Sequence, residues 1–135
     1  MKYIALIAVI AIILLQFSGA VPQASVGGPM TLALVFFAAV LAVAIHEAWT
    51  NKRGVVGWIV NIFVSFIGAF VAAELGNLIF EPILLLFPME GTLAASGHPL
   101  LYVLLAGMML LAVLGSWSAL QIVNRWRRGA ATTAD

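Results

Sequence analysis

Long apolar stretches and short polar breaks alternate along this chain. From Tyr3 to Leu15 there is no polar side chain beyond the Tyr3 hydroxyl, and Gln16 is the first interruption. Leu32 to Ile45 is wholly apolar, and the stretch ends in His46-Glu47-Ala48-Trp49-Thr50-Asn51-Lys52-Arg53. A third stretch, Gly54 to Phe87, is apolar except for Asn61, Ser65, Glu74, Asn77 and Glu81. The fourth runs from Leu100 to Val123.

None of these stretches alternates with period two, and each, taken with its flanking residues, can supply the ~20 residues a helix needs to cross a bilayer. The breaks carry turn chemistry. Val21–Gly28 holds Pro22, Gly27 and Gly28, and Pro29 suits the first turn of a helix. Met89–His98 is polar, and Pro99 opens the last apolar stretch. Pro82 and Pro88 bracket a segment too short to cross again, read as a kinked continuation or an interfacial half-turn. The pattern predicts helices over about 3–20, 30–49, 57–80 and 100–123, and a disordered tail over 129–135. The first stretch has a second reading, a cleaved signal peptide ending at Ser18-Gly19-Ala20; a retained helix is preferred because one lysine is a thin basic start.

Composition settles the solvent. Of the 135 residues 64% are hydrophobic and 8% charged, against about 45–50% and about 25% in a soluble domain. The expected fold is therefore all-α, a polytopic integral membrane protein with four transmembrane helices and no separate soluble domain. The positive charges are Lys2, Lys52, Arg53, Arg125, Arg127 and Arg128. Four spans place all six on one side, which the positive-inside bias identifies as cytoplasmic, with both termini. Three or five spans would split them. Trp49, Trp58 and Trp126 fall where membrane–water boundaries are expected.

Two patterns on the third helix follow from 100° per residue. Gly57, Asn61, Ser65, Gly68, Ala72 and Gly76 share one face, a small-xxx-small series that lets backbones approach where lipid gives helices no hydrophobic drive to associate. This face is read as a helix-packing surface. Gly107 and Gly115-Ser116 suggest its counterpart, within the chain or in a second copy.

Glu74, Asn77 and Glu81 follow at i, i+3 and i+7 on the opposite side. A carboxylate at the membrane centre costs roughly 2.5–3.5 kcal/mol on insertion scales, and intramembrane carboxylates mark ion routes. The functional reading is a proton or cation site. Depth supports another reading: Glu74 lies 16 residues beyond Trp58, about 24 Å along the axis, within reach of the far headgroups.

Other chemistry finds little support. The chain has no cysteine, hence no disulfide, thiolate ligand or thiol nucleophile. His46-Glu47 lacks the second histidine four residues on that a zinc protease helix carries, and reads as a solvated helix end. Glu90 and His98 in the outer loop would need help from another chain to hold a metal. The only aspartate is Asp135, so a Ser/His/Asp triad has no acid, and Gly27-Gly28 leads into Pro29 rather than a phosphate loop. No cofactor is expected, and the basic residues are too sparse for a nucleic-acid surface.

The run Arg53-Gly54-Val55-Val56-Gly57-Trp58-Ile59-Val60-Asn61-Ile62, continued by Ser65-Phe66-Ile67-Gly68-Ala69-Phe70-Val71, resembles the glycine-rich core of the transglycosylase-associated protein family, small bacterial stress-response membrane proteins. Ala112–Arg125 is loosely similar to that family's last helix. Ala72 and Ala73 stand where the family usually has glycines, an extra helix pair precedes the match, and Glu74 to Glu81 has no counterpart in it. The resemblance implies a non-catalytic inner-membrane protein and transfers no active-site residue.

The expectation is thus a non-enzymatic small membrane protein of a bacterial inner membrane. It would act through helix packing, as a homo-oligomer or an accessory subunit, with the lipid bilayer and another membrane protein as its partners. The alternative is a small oligomeric transporter or channel with Glu74 as its proton or cation site.

Overall fold

The computed structural model describes residues 2–19, 27–86 and 99–132. Four α-helices account for all the regular structure among them: α1 (Lys2–Phe17), α2 (Gly27–Thr50), α3 (Val55–Leu85) and α4 (Pro99–Thr132). α2, α3 and α4 are long and apolar enough to cross a membrane; α1 is equally apolar but has 16 residues. At 1.5 Å per residue α1 is about 24 Å long, against a hydrocarbon core of about 30 Å.

Side-chain placement identifies the solvent. Phe63, Ile67, Phe70, Leu78 and Leu110 lie on the outside of the bundle, while Asn61, Ser65, Ser116 and Asn124 lie inside. Water would favour the reverse, so the chain is an all-α membrane protein whose outer surface is matched to lipid.

The helices alternate in direction. Phe17 at the end of α1 stacks on Tyr102 at the start of α4, with ring centroids 4.9 Å apart. Gly68 meets Gly115, and Gly76 meets Met108, so α3 and α4 are antiparallel. This pair makes the most extensive contact in the bundle. Ile12, Val43, Met109 and Val113 form the main apolar core, which joins α1, α2 and α4. A smaller core of Val40, Ala69 and Ala112 joins α2, α3 and α4.

The turn between α2 and α3 follows directly from its residues. The Arg53 N–H donates to Ala48 O at 3.0 Å and the Lys52 N–H to Trp49 O at 3.0 Å, the paired bonds of a Schellman cap. Lys52 has φ 48°, the left-handed conformation that this cap requires and that glycine usually supplies. The chain therefore reverses within Asn51–Gly54, and Arg53 returns beneath the end of α2.

Several boundaries differ from the sequence pattern. α3 continues through Pro82 to Leu85. The proline lies in the final turn, where one missing donor disturbs little, and Leu86 N–H closes the end on Ile83 O at 3.2 Å. α4 continues past Val123 through Arg125–Arg128 to Thr132, so the expected disordered tail is helical as far as Thr132, and 133–135 lie outside the described residues. Loss of hydrophobicity marks where α4 leaves the membrane, whereas the backbone needs only residues that tolerate a helix, which arginine and alanine do. At its other end α2 begins at Gly27, three residues before the apolar pattern, with Pro29 in the first turn.

Candidate functional site

Close approach of α3 and α4 fixes the centre of the bundle. A Cβ built on Gly68 would stand 2.5 Å from Ala119 Cβ and 2.5 Å from the Gly115 carbonyl oxygen. One on Gly115 would collide with Ala72 Cβ and stand 2.6 Å from Gly68 O. One on Gly76 would stand 2.7 Å from Met108 Sδ, and one on Gly107 3.0 Å from the Phe80 ring. The expected small-residue face thus meets α4 of the same chain, with Gly115 opposite Gly68 and Ala72 and Met108 opposite Gly76, whereas Gly107 packs on Phe80 instead. Gly57 differs: its nearest neighbour is Cβ of Arg53, at 2.8 Å, within its own segment.

A column of buried polar groups runs down from this seam towards the basic end. Ser65 Oγ donates to the Val40 carbonyl at 3.1 Å and makes a short hydrogen bond with Ser116 Oγ, so one pair of hydroxyls joins α2, α3 and α4. One turn on, Asn61 is fully buried, and neither Nδ2 nor Oδ1 has a hydrogen-bond partner among the described residues.

At the foot of the column Glu47, 7% exposed, offers Oε1 to three amides: Asn124 Nδ2 at 2.9 Å, Asn51 Nδ2 at 3.0 Å and Gln121 Nε2 at 3.1 Å. Asn124 in turn accepts from the Arg53 guanidinium at 2.6 Å. The charges fix the orientation of its amide, because Oδ1 must face the guanidinium and Nδ2 the carboxylate. Arg53, Asn124 and Glu47 form a relay in which each bond polarises the next. It ties α2, the α2–α3 turn and α4 at one end of the bundle.

This network corrects the reading of Glu47 as a solvated helix-end residue. Its neighbour His46 is exposed, as expected for a helix end. Glu47 is buried because the Schellman turn folds Arg53 and Asn51 under α2, while Gln121 and Asn124 arrive from α4. One signal for it was present in the sequence: Ser116 and Asn124 lie eight residues apart on one face of an apolar helix, with Gln121 one turn before Asn124.

Glu74, Asn77 and Glu81 are all on the outside of α3, away from the column and from α4. The fold does not bring them into an internal cavity. Among the described residues no three His, Cys, Asp or Glu side chains gather as a metal site would require. Glu90 and His98 lie outside the described residues.

Neither a protein-family model, nor a curated protein, nor a solved structure matches this chain.

Proposed function

We propose that this protein is a non-enzymatic component of a bacterial inner membrane, with both termini cytoplasmic, that acts by docking the outer face of α3 against another transmembrane helix. One observation carries this reading. Phe63, Ile67, Phe70, Glu74, Asn77 and Glu81 are spaced by four, three, four, three and four residues, and all six are exposed. That spacing is the a/d seam of a coiled coil, the geometry of most membrane helix pairs. Its first half offers large apolar knobs and its second half polar groups that lipid cannot satisfy.

The small-residue face, which the sequence suggested for association, is occupied by α4 of the same chain at Gly68, Ala72 and Gly76. Association therefore falls to the opposite seam. Its partner is a second copy or a larger membrane complex that this chain serves as an accessory subunit. A non-catalytic role is also what the resemblance of Arg53–Val71 to the transglycosylase-associated family implies.

The test is gentle solubilisation of the tagged full-length chain from native membranes, followed by intact mass and identification of whatever travels with it. A stoichiometric partner or a discrete homo-oligomer that dissociates on Phe70→Ala or Glu74→Leu supports the reading. A monomer, or an assembly indifferent to both substitutions, refutes it.

The same polar half-seam supports a second reading, in which paired copies enclose Glu74 and Asn77 as a proton or cation site. Glu74→Gln would then abolish flux in liposomes while leaving membrane insertion intact. Unchanged flux would remove that reading and leave the first untouched.

A further inference from the structure

One face of α4 carries two hollows end to end. Leu110, Leu114 and Trp117 form one wall of an apolar groove of about 600 Å³, whose other wall is α1 with Leu6, Val9 and Ile10. Gln121, Arg125 and Arg128, with Ile122, line a second hollow of about 400 Å³. The α4 positions 110, 114, 117, 121, 125 and 128 are spaced by three or four residues, so they form a single stripe.

The register of α1 explains why the stripe changes character. Phe17 stacks on Tyr102; fifteen residues back along α1 is Lys2, and fifteen forward along α4 is Trp117. Lys2 lines the same groove. Beyond Trp117 the described part of α1 gives α4 no cover, and Arg125 lies eight residues further, about 12 Å along the axis.

We infer that this stripe binds one anionic phospholipid from the leaflet at the basic end of the bundle, an acyl chain in the α1/α4 groove and the phosphate at Arg125 and Arg128. The order of surfaces matches the order of the ligand, apolar first and cationic where α4 emerges beside Trp126. Arginine is suited to the phosphate because its planar fork donates two parallel hydrogen bonds. Basic pockets at the ends of transmembrane helices hold anionic headgroups. Lys2 lines the groove, and a lysine there can lay its stem along apolar surface while keeping its ammonium in the headgroup layer. Among the described residues no carboxylate lines either hollow; Glu47 is hydrogen-bonded to Gln121 of the second, whose Nε2 has a second N–H.

Two other hollows lack this combination. The α1/α2 groove is apolar at every lining residue, with no charge to select a headgroup. The hollow lined by Trp49, Lys52, Arg53 and Trp58 lies on α2, the α2–α3 turn and α3, none of which lines the α1/α4 groove. Lys52 thereby becomes the natural control, a cation at the same end of the bundle but outside the stripe.

The test reconstitutes the full chain into nanodiscs of equal phosphatidylglycerol and phosphatidylcholine, then counts retained lipids by native mass spectrometry. One phosphatidylglycerol per chain is expected to outlast phosphatidylcholine. Each of Arg125→Gln and Arg128→Gln should lower that preference about five-fold, the fold-change of ~1 kcal/mol per cation near a membrane surface, and the pair roughly 25-fold. Lys52→Gln, outside the stripe, should lower it clearly less than either arginine variant does. Both arginines are exposed, so their loss leaves the core intact. Equal retention of the two lipids, or a Lys52→Gln loss as large as that of Arg125→Gln, would overturn the inference. Displacement of the lipid by millimolar inorganic phosphate would also overturn it, since the hollow would then be a free-anion site.

Discussion

Substituting Gly68 by alanine isolates the contact on which the bundle depends. In an ordinary exposed helix position this change is favourable by about 1 kcal/mol, because alanine loses less backbone entropy. At Gly68 the added methyl meets Ala119 Cβ and Gly115 O, each at 2.5 Å, where ordinary van der Waals contact begins at 3.4 Å. Neither neighbour is the free end of a flexible side chain, so α3 and α4 must separate by the difference, about 0.9 Å.

A gap of that size forfeits a quarter to a half of each atom-pair attraction across the seam. If the seam holds about 50 such pairs, the number one buried leucine makes, at roughly 0.15 kcal/mol each, losing a third costs ~2.5 kcal/mol. That lies within the ~1–3 kcal/mol typical of overpacked cores. Set against the helix-propensity gain, the net destabilisation is about 1.5 kcal/mol, or roughly ten-fold in the folding equilibrium.

The assay is reversible unfolding in mixed micelles with rising denaturing detergent, followed by tryptophan fluorescence. Gly129→Ala is the control, because its Cβ would meet nothing within 4 Å on the same class of helix. It should leave stability unchanged or raise it by up to ~1 kcal/mol. If Gly68→Ala moves stability in the same direction as Gly129→Ala, the α3–α4 seam is not the close contact described. Gly115→Ala should resemble Gly68→Ala, and the double variant should cost less than both together, since one opening of the seam accommodates both methyls.

Two further expectations use the same titration. Glu47→Ala leaves the buried Asn124 amide donor without its acceptor and should cost about 2–4 kcal/mol, whereas Glu47→Gln keeps an acceptor oxygen and should cost about 1 kcal/mol; equal losses would mean that the amides do not depend on Oε1. Lys52→Gly removes the strain of a side chain at φ 48° and should stabilise by about 1 kcal/mol, so a destabilised Lys52→Gly would contradict the Schellman cap.

By itself the sequence determined the solvent and the helices. Apolar stretches such as Leu32–Ile45 admit no other environment, and they mark membrane-length helices because every backbone polar group in lipid must be satisfied within its own segment. The spacing of Gly68, Ala72 and Gly76 marked a packing face, because lipid-facing and protein-facing positions are both apolar and only residue size distinguishes them. For the same reason hydrophobicity could not say where α4 ends: Arg125–Arg128 close the membrane segment and leave the helix running to Thr132.

Tertiary structure decided which faces meet. That Gly68 lies against Gly115 of its own chain, and not against a second copy, depends on how α3 and α4 come together, and helical periodicity within either segment carries no information about that. Glu47 shows the reason most clearly. Its own neighbourhood, a histidine before it and a basic turn after it, is that of a solvated helix end. Two of its amide partners arrive from Gln121 and Asn124 on another helix, and only their approach makes it a buried, hydrogen-bonded carboxylate. The exposure of Glu74, Asn77 and Glu81 is set the same way: packing α4 against one side of α3 leaves the opposite side to lipid or to a partner.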